Sequence, residues 1–262
     1  GDFQALKGIS FEIKSGEIVG ILGPNGAGKS TTLRILTCYF NPTSGDAIID
    51  GKSILDEENN VKKIIGYLPE SAPLYNDMCV FDYLVYMADI QELERSKLNE
   101  RLHYVVNVCG LKEVISKPIG ELSKGYKQRV GLAGAIIHDP KILILDEPTN
   151  HLDNDTIDWL ETYLNSFKGS ILMITHDRYF LDRVTNRILE LDKGILYSYE
   201  GNYSVFLEKK MNRLQLAESM EAKRQNLLRK ELAWVRRGAK ARTTKQKARL
   251  QRFDELSNKN DY

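Results

Sequence analysis

Short, continuous apolar runs alternate along the chain with longer segments in which apolar residues recur every three or four positions. The runs lie at residues 18–22, 142–145 and 171–174, and residues 48–51 have the pattern of a strand that ends in a turn. Continuous apolar runs of this length are typical of strands covered on both faces of a sheet. Strands that alternate with helices predict an α/β fold.

The segments between these runs favour helices. Residues 29–38 follow the first run, and residues 78–108 carry apolar residues at helical spacing and are predicted to be mostly helical. We expect a helical subdomain at about residues 70–135.

The end of the chain has a different pattern. From Tyr203 onward, apolar residues fall on a single series with a spacing of three or four, which predicts a long helix with an apolar stripe near each end. Gly238 is a plausible break, so the extension is either a helical hairpin or a helix with a loose basic tip. The stripe consists of Leu207, Met211, Leu214, Leu228, Leu232 and Val235, and the spacing resumes at Leu250, Phe253 and Leu256. We therefore divide the chain into residues 1–200 and a helical extension at residues 201–262.

Composition indicates a soluble protein. No apolar run approaches the roughly 18 residues that a membrane-spanning helix needs, and the sequence shows no charged-then-apolar leader. The three cysteines, at positions 38, 79 and 109, are far apart in sequence and form no close pair. Free thiols of this kind favour a cytoplasmic location over a disulfide or zinc framework.

Charge is distributed unevenly along the chain. The formal net charge is only +1, but residues 201–262 carry 16 Lys+Arg against 7 Asp+Glu, whereas residues 1–200 carry 21 against 29. An acidic body with a basic extension suggests two separate tasks, and the extension suggests a polyanionic partner.

A glycine-rich segment follows the first apolar run. Residues 23–30, GPNGAGKS, match the eight-residue phosphate-binding loop, which needs a strand before it and a helix after it. The glycines let successive N–H groups turn towards phosphate oxygens, and the positive end of the helix dipole points at the same oxygens. Lys29 should reach the β- and γ-phosphates of ATP, and Ser30 should ligate Mg²⁺. The predicted nucleotide-binding residues are Gly23, Asn25, Gly26, Gly28, Lys29, Ser30 and Thr31.

Two acidic residues end the apolar run at 142–145. Asp146 would face the metal ion from the end of the strand, and Glu147 would orient or deprotonate the attacking water. Taken alone, such a pair could instead cap a helix, since Pro148 follows. Next to a phosphate loop, the catalytic interpretation is favoured.

Three further segments resemble motifs of the ATP-binding cassette (ABC) family. Residues 122–128, LSKGYKQ, resemble its signature motif with lysine at the usual first glycine; THD at 175–177 resembles the segment of its switch histidine; and NHLD at 150–153 resembles its D-loop. With the phosphate loop and the acidic strand, five elements occur in family order. The resemblance implies a P-loop NTPase core and hydrolysis of ATP to ADP and phosphate. It further implies that two cassettes dock head to tail, so that Ser123 and Gly125 contact the γ-phosphate held by the other cassette while His176 helps to position the water.

The chain departs from the family pattern in two places. The family has a glutamine that senses Mg²⁺ and the γ-phosphate; Glu70 stands there, and a glutamate can still ligate Mg²⁺ although it adds negative charge. The family also has an aromatic residue that stacks on adenine. By spacing it would precede Gly1, so we expect it to be missing, with Phe3 a weak substitute. We also expect the chain to begin inside its first strand and to be a partial sequence.

The two parts of the chain resemble different branches of the family. Residues 1–145 look like the nucleotide-binding subunits of bacterial ABC exporters, whereas residues 146–262 resemble the first cassette and linker of the ABC-F family of ribosome-associated ATPases. The chain is therefore either an unusual homologue or a mosaic. An ABC-F-like cytoplasmic ATPase is favoured. The alternatives are an exporter motor peripheral to the inner membrane, in which the region of residues 69–78 receives a membrane subunit, and a non-catalytic ATP-binding clamp.

The basic tip of the extension could bind nucleic acid. Residues 233–252 contain eight Lys+Arg and no acidic residue, and Trp234 is close enough in sequence to stack on a base. A solvated helix without a partner is the alternative. The predicted contacts to RNA are Arg236, Arg237, Lys240, Arg242, Lys245, Lys247 and Arg249.

Overall fold

The computed structural model describes residues 4–71 and 73–236, and for residues 220, 221, 224 and 227–236 it describes the backbone alone. The chain divides into two compact units, of which the first ends at Phe206 and the second begins at Leu207. Within the first unit, Ser204 donates its N–H to Asp182 Oδ1 at 2.7 Å, and the ring of Phe206 packs edge-on against Tyr199.

A six-stranded sheet forms the centre of the first unit, in the spatial order β4-β5-β6-β1-β7-β8. All neighbouring strands are parallel except β8, which is antiparallel to β7. A separate antiparallel pair, β2 and β3, lies between α1 and α2 in sequence. The strands are β1 (Ile18–Leu22), β2 (Ile48–Ile49), β3 (Lys52–Ser53), β4 (Ile65–Leu68), β5 (Ile142–Asp146), β6 (Ser170–Ile174), β7 (Arg187–Asp192) and β8 (Ile195–Glu200).

Helices connect the strands, and three of them lie between β4 and β5, in the range assigned to the helical subdomain. The helices are α1 (Lys29–Leu36), α2 (Glu58–Lys62), α3 (Val80–Ile90), α4 (Arg95–Val108), α5 (Lys124–Ile136), α6 (Asn154–Ser166), α7 (Arg178–Val184) and α8 (Tyr203–Arg236), with short 3₁₀ turns at Lys112–Val114 and Ile119–Glu121. Helix α8 continues from the first unit into the second.

The sheet is covered on both faces, as its continuous apolar strands predict. In β5, Leu143 and Leu145 point into one hydrophobic cluster, while Ile144 points into a second cluster on the other face. Strand β6 alternates in the same way, with Ile171 in the first cluster and Leu172 in the second. A strand buried on both faces has no polar side and therefore reads as an unbroken apolar run.

One sequence-based expectation about elements needs correction, and a second, the mostly helical stretch at residues 78–108, is confirmed with one interruption. The chain was expected to begin inside its first strand, but residues 4–17 form no strand and β1 begins at Ile18. The helical stretch at residues 78–108 is interrupted between Ile90 and Arg95, where Glu92 has a positive φ of 53°. A non-glycine residue in that conformation ends a helix, although the apolar spacing alone does not reveal it.

Cys38, Cys79 and Cys109 are all free, and the first and last are buried. Burial raises the pKa of the Cys109 thiol to about 12, so that it behaves as a small apolar residue. No helix in the described ranges is long and apolar enough to cross a membrane.

The second unit, beginning at Leu207, is described as helix as far as Arg236. Leu207, Met211 and Leu214, the first part of the predicted apolar stripe, are exposed. Only the backbone is described for Leu228, Leu232 and Val235. The predicted break at Gly238 and the resumed spacing at Leu250, Phe253 and Leu256 lie outside the described residues.

Candidate active site

The carboxyl ends of four neighbouring parallel strands bring the predicted site together. Strands β4, β5, β6 and β1 are adjacent and parallel, so the segments that follow them leave the sheet at one edge. These segments carry Glu70 after β4, Glu147 after β5, His176 after β6 and the phosphate loop, residues 23–30, after β1. This edge is where ligands bind in open parallel sheets.

The phosphate loop has the backbone that its glycines permit. Gly26 and Gly28 have φ values of 81° and 100°, which other residues rarely adopt. A Cβ atom on Gly28 would also overlap the side chain of Leu6, so a larger residue is excluded there by space as well as by backbone conformation. Helix α1 begins directly afterwards at Lys29. The N–H groups of its first turn therefore point out of the helix towards the loop.

Lys29 is buried at the centre of the site. Its Nζ donates to the carbonyl oxygens of Gly23 at 2.8 Å and Pro24 at 3.1 Å. Burial lowers the pKa of the Lys29 ammonium, while the carboxylates of Glu147 and Asp146 act in the opposite direction. The lysine is thus held by its own loop beside two acidic groups. Asn25 and Ser30 are exposed, and Thr31 is half-buried.

Three carboxylates lie near one another at this edge. Asp146 is buried at the end of β5, and burial raises its pKa, with repulsion from Glu70 and Glu147 adding to the effect. Glu70 accepts a hydrogen bond from the Asn150 amide at 3.2 Å. The concentration of negative charge is offset only in part by Arg34 and Lys29, both of which lower the Asp146 pKa. A bound cation would stabilise the ionised form of Asp146.

Glu147 and His176 are in direct contact. The His176 backbone N–H donates to Glu147 Oε2 at 3.2 Å, and the ring Nε2 lies 3.3 Å from Oε1. Glu147 is buried and has a φ of 49°, and its own N–H donates to the Ile174 carbonyl at 2.8 Å. A residue held in the left-handed region by surrounding contacts is typical of functional sites. The structure therefore pairs the two residues predicted to be catalytic.

The signature segment starts a different helix. The Ser123 hydroxyl caps α5 by accepting the Tyr126 N–H at 3.3 Å, and Gly125 is buried against α6. Further along α5, Gln128 donates to the Pro148 carbonyl at 3.1 Å, which ties the helix to the residue after Glu147. Among the described contacts, no hydrogen bond joins Ser123 or Gly125 to the phosphate loop of the same chain. Ser123 is exposed, whereas Gly125 is buried.

A separate cavity of about 510 Å³ lies between α1, the segment after β4 and α3. Its wall is rich in aromatic residues and includes Tyr39, Tyr67, Tyr75 and Tyr86. Arg34 lines the cavity and also lowers the pKa of Asp146, so the cavity adjoins the site. Lys29, Glu147 and His176 are not among the residues that line the cavity.

Some predicted residues lie outside the described part of the chain. Phe3, the weak candidate for adenine stacking, is one of them. In the basic tip, only the backbone of Trp234 and Arg236 is described, and the remaining predicted RNA contacts are outside: Arg237, Lys240, Arg242, Lys245, Lys247 and Arg249. The assignment of these residues stays a prediction.

Sequence reasoning missed the roles of two residues after Glu147. Thr149 contacts Thr175 through their hydroxyl groups, and Asn150 contacts Glu70. Asn150 was assigned to the D-loop without a partner. The positions of Thr149 and Asn150 could have indicated these contacts, because polar side chains just beyond the end of a parallel strand lie beside the ends of the neighbouring strands.

Comparison with known proteins places this geometry in context. The family described as ABC transporter matches residues 6–150, more than half of the chain, and a second family with the same description matches residues 189–261. The chain is 42% identical to the uncharacterized ABC transporter ATP-binding protein YfmR of Bacillus subtilis over 283 residues, which cover 98% of this chain and 44% of YfmR. It is 40% identical to the energy-dependent translational throttle protein EttA of Escherichia coli K12 over 278 residues, covering 96% of this chain and 50% of EttA.

The alignments cover nearly all of this chain but only part of each relative. The chain spans about half the length of the curated relatives it matches. The alignments cover 98% and 96% of this chain and therefore extend across position 145, so each single relative matches both parts of the chain. The 283 aligned residues also exceed the 262 of this chain, so YfmR carries additional residues within the aligned region.

Solved structures of ATP-binding cassettes have a similar fold over most of this chain. The chain superposes on cbiO1 of Clostridium perfringens, part of the ABC transporter complex cbiONQ, with a TM-score of 0.68 and 29% identity, covering 83% of this chain and 92% of cbiO1. It superposes on the ATP-binding cassette MJ0796, a dimer in a post-hydrolysis state with ADP and Pi, with a TM-score of 0.64 and 27% identity, covering 75% and 90%.

Proposed function

The chain belongs to the ABC transporter family as an ATP-binding cassette, and from that premise we propose that it hydrolyses Mg-ATP in a head-to-tail pair of cassettes. The resemblance identified from the sequence motifs is thereby confirmed at the level of the family and the α/β fold. The observation that carries the proposal is the contact between Glu147 and His176, made beside the buried Lys29 at the carboxyl edge of the sheet.

The chain's own residues account for binding and for activation of water. The N–H groups of the phosphate loop and the Lys29 ammonium would hold the β- and γ-phosphates. Glu147 would orient a water molecule and accept its proton, since its carboxylate is buried and already fixed by His176. His176 would hydrogen-bond the γ-phosphate. The catalytic effect lies in positioning and charge, as expected for phosphoryl transfer.

The donor set at this edge fits a magnesium ion. Within the described residues, no group of three His, Cys, Asp or Glu side chains could hold a metal ion by itself. Ser30, Asp146 and Glu70 would supply one hydroxyl and two carboxylates, and phosphates and waters would complete the oxygen ligands that Mg²⁺ prefers. Bound Mg²⁺ would neutralise phosphate charge and would offset the burial and the carboxylate repulsion that together raise the Asp146 pKa.

Completion of the site by a second cassette is supported by the signature segment. Ser123 and Gly125 make no hydrogen bond to their own phosphate loop among the described contacts, and the similar cassette MJ0796 is dimeric. The partner is either another copy or a further cassette of the same protein. A single molecule should hydrolyse ATP slowly because half of each site would be missing.

Nucleotide affinity tests this proposal directly. Lys29→Ala should weaken ATP binding about ten- to a hundredfold, because a charge-assisted contact to phosphate is lost. Lys168→Ala, which removes an exposed lysine before β6, is the matched control and should bind as tightly as the unaltered chain. Equal affinity of the Lys29 and Lys168 variants, measured by fluorescence titration with an ATP analogue, would remove the basis of the proposed site.

We further propose that the complete protein is a cytoplasmic, ABC-F-like ATPase that acts on the ribosome or another RNA. The supporting observations are the basic tip of residues 236–252 and the similarity to EttA, a protein named as a translational throttle. Each phosphate neutralised should contribute about −0.7 to −0.9 to the slope of log affinity against log salt.

Co-sedimentation with ribosomes in a salt series tests the RNA proposal. Deletion of residues 236–252 should abolish the salt-dependent binding. RNA binding that survives this deletion would show that the basic tip is not the contact.

An exporter motor is the second candidate, favoured by the aromatic cavity. This 510 Å³ cavity lies beside the segment after β4 and presents Tyr75 and Tyr86 to solvent, and the similar protein cbiO1 is part of a transporter complex. In that case the chain would be peripheral to the inner membrane. Recovery of a membrane protein rather than RNA in a pull-down at low salt would favour this candidate.

A further inference from the structure

A buried pair of hydroxyl groups lies behind the catalytic residues and is not used by the proposed reaction. Thr149 Oγ1 lies 2.8 Å from Thr175 Oγ1, and both residues are buried. Thr149 follows Glu147 by two residues, and Thr175 directly precedes His176. The hydrogen bond therefore joins the segment that carries Glu147 to the segment that carries His176.

The pairing of β5 with β6 in the sheet does not extend along these two segments. Asp146 pairs with Ile174 in the register of β5 and β6, and the Glu147 N–H donates to the Ile174 carbonyl. Past that point, the described contacts between the segments are those of Glu147 with His176 and the hydrogen bond of Thr149 with Thr175. Apart from the contact of Glu147 with His176, the threonine pair is thus the hydrogen bond described between the two segments past that point.

Thr175 is also anchored from its other side. Its hydroxyl accepts the Asp177 N–H at 3.1 Å, and Asp177 caps α7 by accepting the Phe180 N–H at 3.0 Å. His176 therefore lies between two residues whose positions are fixed by hydrogen bonds. A hydroxyl pair with so little solvent access is held more rigidly than an exposed pair would be, because water does not compete for it.

Packing alone does not require these hydroxyl groups. Valine has nearly the same shape as threonine, so an apolar pair could fill the same space. A hydrogen bond adds direction and a fixed separation, which packing contacts do not. Directional support is needed here because Glu147 has a positive φ of 49°, a conformation that surrounding contacts must maintain.

We propose that Thr149 and Thr175 are positioning residues, whose hydroxyl–hydroxyl bond sets the placement of the Glu147 carboxylate against the backbone N–H and ring of His176. This inference rests on the proposed ATPase function of the same site. Neither threonine is assigned a contact with ATP, so their effect passes through Glu147 and His176.

Paired substitutions separate the hydroxyl groups from the packing. Thr149→Val keeps the shape and removes the bond between the threonines, and Thr175→Val does the same but also removes the acceptor of the Asp177 N–H. Thr149→Ser and Thr175→Ser keep the hydroxyl. Each valine variant should lower kcat about ten- to a hundredfold, with the ATP Kd unchanged within about twofold. The serine variants should retain most of kcat, and the double valine variant should be no slower than the slower single variant. Thr185→Val, another buried threonine, whose hydroxyl donates to the Leu181 carbonyl, is the control.

Amide hydrogen exchange in the nucleotide-free chain provides a readout that does not depend on activity. The His176 N–H donates to Glu147 Oε2, so its exchange should become about fivefold faster or more in the valine variants and stay unchanged in Thr185→Val. If the unaltered chain does not hydrolyse ATP, the proposed function fails, while exchange at His176 still decides the positioning role.

Three outcomes would overturn the inference. The first is that both valine variants keep the kcat and the His176 amide exchange rate of the unaltered chain. The second is that a serine variant is as slow as its valine counterpart. The third is that the loss of kcat is matched by an equal loss of ATP affinity. Should Thr175→Val fail to fold, Thr149→Val carries the same test, since either substitution removes the bond.

Discussion

Gly125 at the start of α5 lies so close to α6 that a Cβ atom at this position would be 2.7 Å from Thr156 Oγ1. The same atom would be 3.3 Å from Asp153 Oδ2, the side chain that caps α6 by accepting the Thr156 N–H at 2.8 Å. The signature segment and the helix after the D-loop are therefore in contact through their first turns. A larger residue at this position would have to displace the Thr156 side chain.

This contact predicts a destabilising clash. Gly125→Ala should lower the free energy of unfolding by about 1–3 kcal/mol, because Thr156 must move to make room for the added methyl group. Adding Thr156→Ala should recover part of the loss, and urea unfolding of the two single variants and the double variant measures the coupling. Strictly additive effects would mean that the two residues do not meet in solution.

Glu147→Gln should separate ATP binding from hydrolysis. The amide keeps the size of the side chain but cannot accept the proton of the attacking water, so turnover should fall about a hundredfold or more. ATP should then remain bound and hold two cassettes together. Size-exclusion chromatography with Mg-ATP should show a dimer for Glu147→Gln and not for the exposed control Glu100→Gln. An unchanged monomer peak would count against the two-cassette site.

Glu70→Gln should have opposite effects on two measurements. Without Mg²⁺, ATP should bind about two- to tenfold more tightly, because one of the carboxylates that repel phosphate is removed. The Mg²⁺ concentration for half-maximal turnover should rise by a similar factor, since a charged oxygen ligand is lost. Titrations in EDTA and in a magnesium series provide the two values, with the exposed Glu113→Gln as control. If both values stay unchanged, Glu70 does not face the nucleotide.

Buried His138 predicts acid sensitivity of the fold. Its Nε2 lies 3.1 Å from the Ile65 carbonyl, and burial lowers its pKa below the ordinary value of 6.5. Its Nδ1 is buried and has no hydrogen-bond partner among the described residues. A group whose pKa is lower in the folded state than in the unfolded state stabilises the fold fully when the pH is above the unfolded-state pKa. This stabilisation is lost as the pH falls through the folded-state pKa. The free energy of unfolding should therefore decline below about pH 6.5.

Urea unfolding of His138→Gln tests this source of acid sensitivity. The variant should show a smaller decline between pH 7.5 and pH 5.5, and its stability at pH 7.5 gives the separate effect of changing the contact with Ile65. An equal decline in both chains would assign the acid sensitivity to other groups.

Much of the site could be predicted because its chemistry is carried by local patterns. The phosphate loop needs a buried strand, a glycine turn and a helix in immediate succession, and residues 18–36 contain all three. The acidic pair after β5 was similarly recognisable from its place at the end of an apolar run. Parallel strands then bring such segments to one edge, so the meeting of Lys29, Asp146, Glu147 and His176 follows from the order of motifs.

Contacts between distant segments could not be predicted in the same way. Asn150 meets Glu70 across 80 residues of sequence, and Thr149 meets Thr175 across 26. Neither pair leaves a periodic or compositional trace, because each depends on which strands are neighbours in the sheet. The interruption after Ile90 was missed for a different reason: Glu92 adopts a conformation that its residue type does not favour.

The two hydrogen bonds from Lys29 to the carbonyl groups of its own loop have a consequence for ligand entry. The ammonium group has lost its rotational freedom and most of its hydration during folding, before any nucleotide arrives. An incoming triphosphate therefore meets an ammonium group whose position is already fixed. Binding requires this group to exchange its hydrogen-bond partners, and no mobile side chain has to be ordered. Association with this loop should accordingly leave its main chain almost where it is in the empty protein.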